Sequence, residues 1–143
     1  MARTLLVQVV SPEATLFEGE VEMVVASTTN GEIGVLAMHA PIVAELAPGA
    51  LRLKKAVGGS AEDVTVFSVY AGYLQFAEDK MIVLADGAVN IGHVDLDDLK
   101  ADIESLKQRL AALPESASDE RGELERELAW AENTLAVSGK HRK

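Results

Sequence analysis

The sequence contains no cysteine, few aromatic residues and a shortage of basic residues. Without cysteine the chain has no disulfide, no thiolate metal ligand and no cysteine nucleophile. Aromatic residues make up 4% of the chain, which argues against a sugar-binding platform, because sugars are bound by stacking on aromatic rings. The 23 acidic residues outnumber the 13 basic ones, and a net charge of −10 disfavours nucleic acid as a partner.

The sequence also shows no pattern expected of a membrane span or a targeting segment. Its apolar runs are too short to cross a bilayer, and the opening MARTLLVQVV resembles neither a signal peptide nor a transit peptide. Hydrophobic residues nevertheless make up 48% of the 143 residues, which is enough for a packed core. The composition predicts a soluble, acidic, intracellular protein with no direct insertion into lipid.

The character of the chain changes near Val94, which predicts two domains, residues 1–93 and residues 94–143. The first carries five basic and eleven acidic residues, and the second carries eight and twelve in a much shorter stretch. Most glycines and valine-rich runs lie in the first part, whereas the second has no Pro or Gly between Val94 and Leu113.

The first part has the pattern of short β-strands separated by turns. Runs rich in β-branched or alternating apolar residues predict strands at 5–10, 21–29, 33–36, 50–54, 64–70, 73–76 and 81–84. Turn signals separate them, at Ser11-Pro12, Asn30-Gly31, Pro48-Gly49, Gly58-Gly59 and Glu78-Asp79-Lys80. Strands at this spacing predict a β-sandwich or a flattened barrel.

The second part has the pattern of two amphipathic helices joined by a short loop. Asp95 or Asp97 caps the first helix, a serine at 116 or 118 begins the second, and Gly139 ends it. Apolar residues recur every three or four positions along both helices, at Leu96, Leu99, Ile103, Leu106, Leu110 and Leu113, and at Leu124, Leu128, Ala131 and Leu135. A hairpin with such narrow seams is marginal alone, so we expect it to lean on the sandwich or on another protein.

No motif for catalysis or metal binding is present. His39, His93 and His141 lack partners at metal-ligand spacing, and the sequence has no phosphate-binding loop, GxSxG or GxGxxG. The acidic pairs Asp97-Asp98 and Asp119-Glu120 are interpreted as solvated helix faces or helix starts. We predict no catalytic residue, no metal and no cofactor, and a hydrolase built from scattered carboxylates is the weakest alternative.

The segment TNGEIGVLAMHAP, residues 29–41, is more specific than the rest of the chain. Gly31 and Gly34 suit a turn and a close backbone approach, and Pro41 forces an extended exit after His39. Residue chemistry alone predicts a hairpin turn with a hydrogen-bonded histidine near the surface.

With this segment the sequence resembles the epsilon subunit of bacterial and chloroplast F-type ATP synthases, the counterpart of the mitochondrial delta subunit. The family pattern Gly-Glu-(Leu/Ile)-Gly-(Val/Ile)-Leu-Pro-x-His-(Ala/Thr/Ile)-Pro is similar to residues 31–41, with Ala37 in place of Pro and Met38 in place of Gly. Further segments match in order at 10–12, 17–21, 48–49, 69–76 and 83–86, with Ala71 in place of a family glycine. The resemblance spans essentially the whole chain.

This resemblance implies an α+β fold, a β-sandwich of about ten strands followed by an antiparallel two-helix hairpin. It implies a non-catalytic central-stalk subunit that links gamma to the c-ring and supports coupling of proton flow to ATP synthesis. Such a subunit lies peripherally at the cytoplasmic face of the bacterial plasma membrane. By resemblance, Gly31 and Glu32 contact the c-ring, and His39, Ala40 and Pro41 contact gamma.

The resemblance also implies a movable hairpin. Folded down, it lies on the sandwich; extended, it reaches the alpha and beta subunits of the catalytic head and inhibits ATP hydrolysis. Its seam comprises Leu99, Ile103, Leu106, Leu110, Leu124, Leu128 and Leu135. Two interpretations of equal weight, contact with acidic loops of the head or ordinary helix pairing, apply to the basic residues Arg121, Arg126, Lys140, Arg142 and Lys143.

Some family members bind ATP through an (Ile/Leu)-Asp-x-x-Arg-Ala motif. The corresponding candidate site here comprises Leu96, Asp97, Lys100, Ala101 and Lys107. Lysine stands where the motif has arginine, and lysine does not fork onto phosphate as arginine does. The arginines of the family's second helix align with Trp130 and Thr134, so we expect ATP, as a regulatory ligand, to bind weakly or not at all.

An alternative of a different class is a free-standing β-sandwich binding module with a helical dimerisation tail. A heptad seam suits such a tail, but the proline at 114 favours a hairpin over a parallel coiled coil. Co-purification with gamma separates the two functions.

Overall fold

The computed structural model describes residues 3–55 and 64–141, the last two as backbone only. Strands come first and helices follow, which confirms the α+β class. The described elements are β1 Leu5–Val10, β2 Thr15–Val21, β3 Met23–Thr28, β4 Gly31–Leu36, β5 Ile42–Lys54, β6 Val64–Ala77, β7 Lys80–Asn90, a 3-10 helix Ile91–His93, α1 Leu96–Ala112 and α2 Ser118–His141.

The strands form one sheet, in the order β2-β1-β7-β6-β5-β3-β4, that folds over on itself. Neighbours are antiparallel except β1 and β7, which are parallel. The three long strands β5, β6 and β7 pass from one layer of the sandwich to the other. Layer A comprises β1, β2 and residues 42–46, 72–77 and 80–85; layer B comprises β3, β4 and residues 49–54, 64–69 and 88–90.

The continuity of the long strands corrects the expected strand number. The described residues form seven strands. The expected number of about ten is obtained only when the two halves of β5, β6 and β7 are counted as separate strands. The predicted turn at Pro48-Gly49 lies inside β5, where Ala47 and Pro48 are unpaired opposite residues 70–71 of β6 and Gly49 already pairs with Val69. Bends at these points, without turns, carry one strand into both layers.

Three local expectations are also corrected. β2 was not predicted, because its apolar pair Leu16-Phe17 is followed by two glutamates and a glycine before Val21, without an apolar run. The β3–β4 turn consists of Thr29 and Asn30, since Thr28 pairs with Gly31. Helix α2 continues through Gly139, because buried residues beside that glycine hold the helix in place at a cost of about 1 kcal/mol. The predicted turn at Gly58-Gly59 lies outside the described residues.

One apolar core fills the space between the two layers. Alternate residues of each strand point inward, as the burial of Leu5, Val7 and Val9 in β1 illustrates. Leu74 and Phe76 of layer A meet residues of layer B in the same cluster, so the layers pack face to face. Each such buried side chain contributes about 1.5–3 kcal/mol.

The two helices pack against each other along the expected apolar stripes. Asp95 caps α1: its Oδ1 accepts hydrogen bonds from the backbone N–H groups of Asp97 (2.9 Å) and Asp98 (3.2 Å). In the loop, the Arg121 guanidinium donates to the carbonyl of Leu113 at 3.1 Å. One cluster contains Leu99, Ile103, Leu106, Leu110, Leu113, Leu124, Leu128, Ala131 and Leu135.

Candidate functional site: the two outer faces of the sandwich

Helix α2 covers the outer face of layer B through a set of polar contacts. Asn133 Nδ2 donates to Ser68 Oγ at 3.0 Å and to the carbonyl of Val69 at 3.2 Å. Ser68 Oγ lies 3.0 Å from Thr134 Oγ1, and the Thr134 hydroxyl donates to the carbonyl of Trp130 at 3.0 Å. The hairpin is therefore folded down onto the sandwich in this structure.

Apolar contacts flank this polar centre on both sides. Towards the C-terminal end of α2, Val137 packs with Val66 and Ile91 in a small buried cluster. On the other side, the Trp130 ring meets the edge of Tyr70, with centroids 5.9 Å apart. The docked helix thus shields a strip of layer B from solvent.

The outer face of layer A, on the opposite side of the core, is uncovered and apolar. Val43 is 71% exposed, and Tyr73 and Leu84 are each 55% exposed. The strand register pairs Leu84 with Tyr73, and in the next row it places exposed Gln75 between Val43 and Ile82. Apolar side chains from β5, β6 and β7 thus share one face, with Gln75 and Glu45 among them. We call Val43, Tyr73, Ile82 and Leu84 the bare face. An exposed apolar surface of this kind marks a protein-binding site.

The sequence contained a signal for the bare face that composition did not show. In an antiparallel sheet with one solvated face, apolar and polar residues alternate, yet the segment at 81–84 is apolar throughout. Such a run indicates a strand covered on both sides. Here only one side of that run is covered by the chain itself, since Met81 and Val83 are buried while Ile82 and Leu84 are exposed.

The predicted c-ring contact lies at the tip of the β3–β4 hairpin. Gly31 has φ = 111°, a conformation that favours glycine, and a Cβ there would meet nothing within 4 Å. Glu32 lies beside Arg52, with 3.3 Å between carboxylate and guanidinium. The glutamate also lines a shallow depression next to Asn133 of α2, so this tip adjoins the docked helix.

The predicted gamma contact lies in the exposed link between β4 and β5. His39 Nδ1 is 2.6 Å from the Ala40 carbonyl, and the ring meets the edge of Phe76 with centroids 6.0 Å apart. Pro41 leads directly into β5, where Val43 is part of the bare face. The histidine is hydrogen-bonded near the surface, as residue chemistry alone predicted.

Met38, next to this histidine, adopts a left-handed backbone conformation with φ = 70°. Its N–H donates to Asp79 Oδ1 at 2.5 Å, and Arg3 Nη1 donates to its Sδ at 2.8 Å. The side chain is 67% exposed. Positive φ disfavours a residue with a Cβ, so the contacts to Asp79 and Arg3 hold a strained conformation in place.

We predict that Met38→Gly raises the free energy of unfolding by about 1 kcal/mol, because glycine relieves the Cβ strain of the left-handed conformation. Urea denaturation of the full chain measures this change. Ala37→Gly is the matched control, since Ala37 has no positive φ and glycine there only loosens the unfolded chain. Destabilisation of both variants alike would contradict the assigned strain.

The candidate nucleotide residues do not line the groove between the two helices. A groove of about 470 Å³ does lie between α1, α2 and the end of β7, and Trp130 and Thr134 line it. Its charged lining residues are Asp102, Arg109 and Glu127. The groove lining includes none of the candidate residues Leu96, Asp97, Lys100, Ala101 and Lys107. Its two carboxylates and single guanidinium do not suit a triphosphate.

The described part of the chain contains neither a metal-binding cluster nor a membrane-spanning helix. Residues 3–55 and 64–141 contain no group of three or more histidine or carboxylate side chains placed to hold a metal ion. Within the same ranges, neither helix is long and apolar enough to cross a bilayer.

The two outer faces of the sandwich therefore differ, since its own hairpin covers part of one and the other exposes several large apolar side chains. Comparison with known families identifies the protein family. The model for the beta-sandwich domain of the ATP synthase delta/epsilon chain matches residues 4–91. The chain belongs to this family, which confirms the resemblance seen in the sequence.

Relatives of known identity match over most of the chain. The ATP synthase epsilon chain of Alkalihalophilus pseudofirmus is 39% identical over 116 residues, covering 81% of this chain and 84% of the relative. That of Halalkalibacterium halodurans is 37% identical over 138 residues, covering 96% and 98%. The sodium-ion-specific epsilon chain of Propionigenium modestum is 36% identical, covering 78% of each.

Solved structures share the fold. A chain of the mitochondrial ATP synthase of Euglena gracilis aligns with a TM-score of 0.69 at 19% identity, covering 96% of this chain and 80% of its own. A chain of the central stalk and c-ring assembly of Tetrahymena thermophila aligns at 0.57 and 13%, covering 93% and 97%. The fold class is thus confirmed, and the chain is a non-catalytic subunit of the F-type ATP synthase, a peripheral part of a membrane-bound complex.

Proposed function

We propose that this chain joins the gamma subunit to the c-ring in the central stalk, with the bare face as its gamma-binding surface. The exposure of Val43, Tyr73, Ile82 and Leu84 on a face opposite the docked hairpin carries this proposal. A partner that covers these side chains removes their apolar surface from water, which stabilises the complex. The subunit acts at the cytoplasmic face of the bacterial plasma membrane and supports the coupling of ion flow to ATP synthesis.

Two exposed segments complete the proposed interface. The link with His39, Ala40 and Pro41 continues into β5 and extends the bare face, which supports a contact with gamma. Gly31 and Glu32 are exposed at the start of β4, next to the turn of the β3–β4 hairpin, which supports a contact with polar loops of the c-ring. The salt bridge between Glu32 and Arg52 is accessible to solvent and contributes at most about 1 kcal/mol to stability. The Glu32 carboxylate can therefore leave Arg52 and contact a partner at little cost.

The alternative of a dimerisation tail is not supported by the packing. Leu99, Leu106 and Leu128 face one another between α1 and α2, so the two seams satisfy each other within one chain. Because the chain belongs to the ATP synthase delta/epsilon family, the alternative function of a free-standing binding module is also not supported.

We also propose that the hairpin inhibits ATP hydrolysis when it leaves layer B and extends towards the alpha and beta subunits. The side chains of 140–143 lie outside the described residues, while Arg121 closes the interhelical loop. Arg126 is exposed in the docked state and therefore free to meet an acidic partner in the extended one.

A reversible disulfide tests the inhibitory role. The chain has no cysteine, and the hydroxyl oxygens of Ser68 and Thr134 lie 3.0 Å apart. The double variant Ser68→Cys, Thr134→Cys therefore places one thiol pair across the contact between α2 and layer B. We expect the oxidised pair to hold the hairpin down and raise ATP hydrolysis by the assembled complex several-fold. Reduction of the same sample is the control and should restore the original rate. Equal rates before and after reduction would remove the inhibitory claim.

We predict that Mg-ATP binds weakly or not at all to the full chain, because Lys100 and Lys107 lie outside the groove lining and that lining carries more negative than positive groups. Calorimetric titration of the isolated chain with Mg-ATP measures this. The variant Lys100→Arg, which restores the family motif, is the matched comparison. Tight binding by the unmodified chain would contradict the prediction.

A further inference from the structure

The joint between the hairpin and layer B differs in chemistry from the seam inside the hairpin. The seam between α1 and α2 is a cluster of leucine, isoleucine and alanine side chains. The joint combines a few apolar contacts with the buried polar side chains of Ser68, Thr134 and Ser138 and the partly buried Asn133. Apolar seams resist separation in water, whereas a polar joint exchanges its hydrogen bonds for water with little net loss.

Asn133 is the residue that ties the helix to the sheet. Its amide donates to Ser68 Oγ and to the carbonyl of Val69. Because Thr134 uses its hydroxyl hydrogen on the Trp130 carbonyl, Ser68 donates to Thr134 Oγ1, and a directed chain of hydrogen bonds results. Removal of the amide leaves two acceptors of the sheet without this donor.

Ser138 acts in the opposite sense. It lies one turn beyond Thr134 and is fully buried, yet its Oγ has no hydrogen-bond partner among residues 3–55 and 64–141. In the undocked state water satisfies this hydroxyl, so burial of the group penalises the docked state.

We propose that Asn133 and Ser138 set the docking equilibrium of the hairpin from opposite sides, and that the hairpin undocks from layer B as one unit. The connection between the 3-10 helix and α1, residues 94–95, is the pivot, because it separates the docked Ile91 from α1. These contacts all lie within the chain, so the docking equilibrium does not depend on the proposed role in hydrolysis.

Thiol labelling of the cysteine-free chain tests this inference. Three background variants each place one probe: Val66→Cys in the joint, Leu106→Cys in the seam and Val7→Cys in the sandwich core. Labelling rates report how often each site opens. We expect Asn133→Ala to raise labelling at the joint by about 5- to 30-fold and to leave the seam and core probes unchanged.

The opposing role of Ser138 gives the more demanding result. Ser138→Ala removes only the unpartnered hydroxyl, and we expect it to lower labelling at the joint by about fivefold or more. Glu132→Ala, at an exposed neighbour on the same helix, is the matched control and should change nothing. Unchanged or faster labelling of the joint in Ser138→Ala would overturn the inference. So would a seam probe that rises in step with the joint, since α2 would then unravel on its own.

Discussion

Gly72→Ala is expected to destabilise the sandwich by about 3–5 kcal/mol, a large part of the stability of a domain of this size. Gly72 has φ = 140°, which a residue with a Cβ rarely adopts. A Cβ at this position would also fall 2.1 Å from the carbonyl oxygen of Leu84 and 2.9 Å from the Cα of Ala85. Both obstacles are backbone atoms, so the clash is relieved only if β6 and β7 move apart.

Urea denaturation of the full chain measures this effect, and Gly87→Ala is the matched control. Gly87 also lies in the β6–β7 region, but the nearest atoms to its Cβ position are 3.8 Å away and no positive φ is required. We expect the control to change stability by less than about 1 kcal/mol. Similar stabilities for the two variants would show that the bend of β6 does not depend on glycine.

Leu84→Asp is expected to weaken binding to gamma by about 100-fold or more while leaving the fold intact. Leu84 is 55% exposed at the centre of the bare face, so aspartate costs the free chain little. In the proposed complex with gamma, the same charge would be buried without a counterion. Central interface residues commonly contribute about 2 kcal/mol or more to binding, and a 100-fold loss of affinity corresponds to about 2.7 kcal/mol. Co-purification of gamma with the tagged chain measures the loss.

Leu36→Asp is the matched control for this prediction. Leu36 is also an exposed leucine, 52% exposed, but it belongs to β4 in layer B. We expect its variant to retain gamma. Equal loss of gamma from both variants would contradict the assignment of the interface to the bare face.

Local chemistry made parts of this structure predictable from the sequence. β1 has the predicted bounds, because a β-branched run ends at Ser11-Pro12. Asp95 caps α1 because an aspartate before a helix satisfies free N–H groups of its first turn. The seam residues were visible because their spacing follows the helical repeat. Each of these features depends on neighbours within a few positions of the chain.

Features that depend on distant residues were not predictable in the same way. Gly72 is required because the backbone of β7 leaves no room for a Cβ at this position. A lone glycine beside Ala71 does not indicate which strand approaches it so closely. Asn133 and Ser68 lie 65 positions apart, so neither gave a sign of their hydrogen bond. The apolar run at 81–84 was a sequence signal for the bare face. The sequence alone did not show that the chain covers only one side of this run, so the signal was interpretable only with the structure.

We propose that the bare face is the surface by which this subunit joins its complex. Hydrogen exchange of the chain, free and within the assembled ATP synthase, tests it most directly. We expect assembly to slow exchange at amides of the link at 37–41 and, by suppressing local opening of the sheet, along β7 near Ile82 and Leu84. Protection confined to other parts of the sandwich, with these segments exchanging as in the free chain, would contradict it.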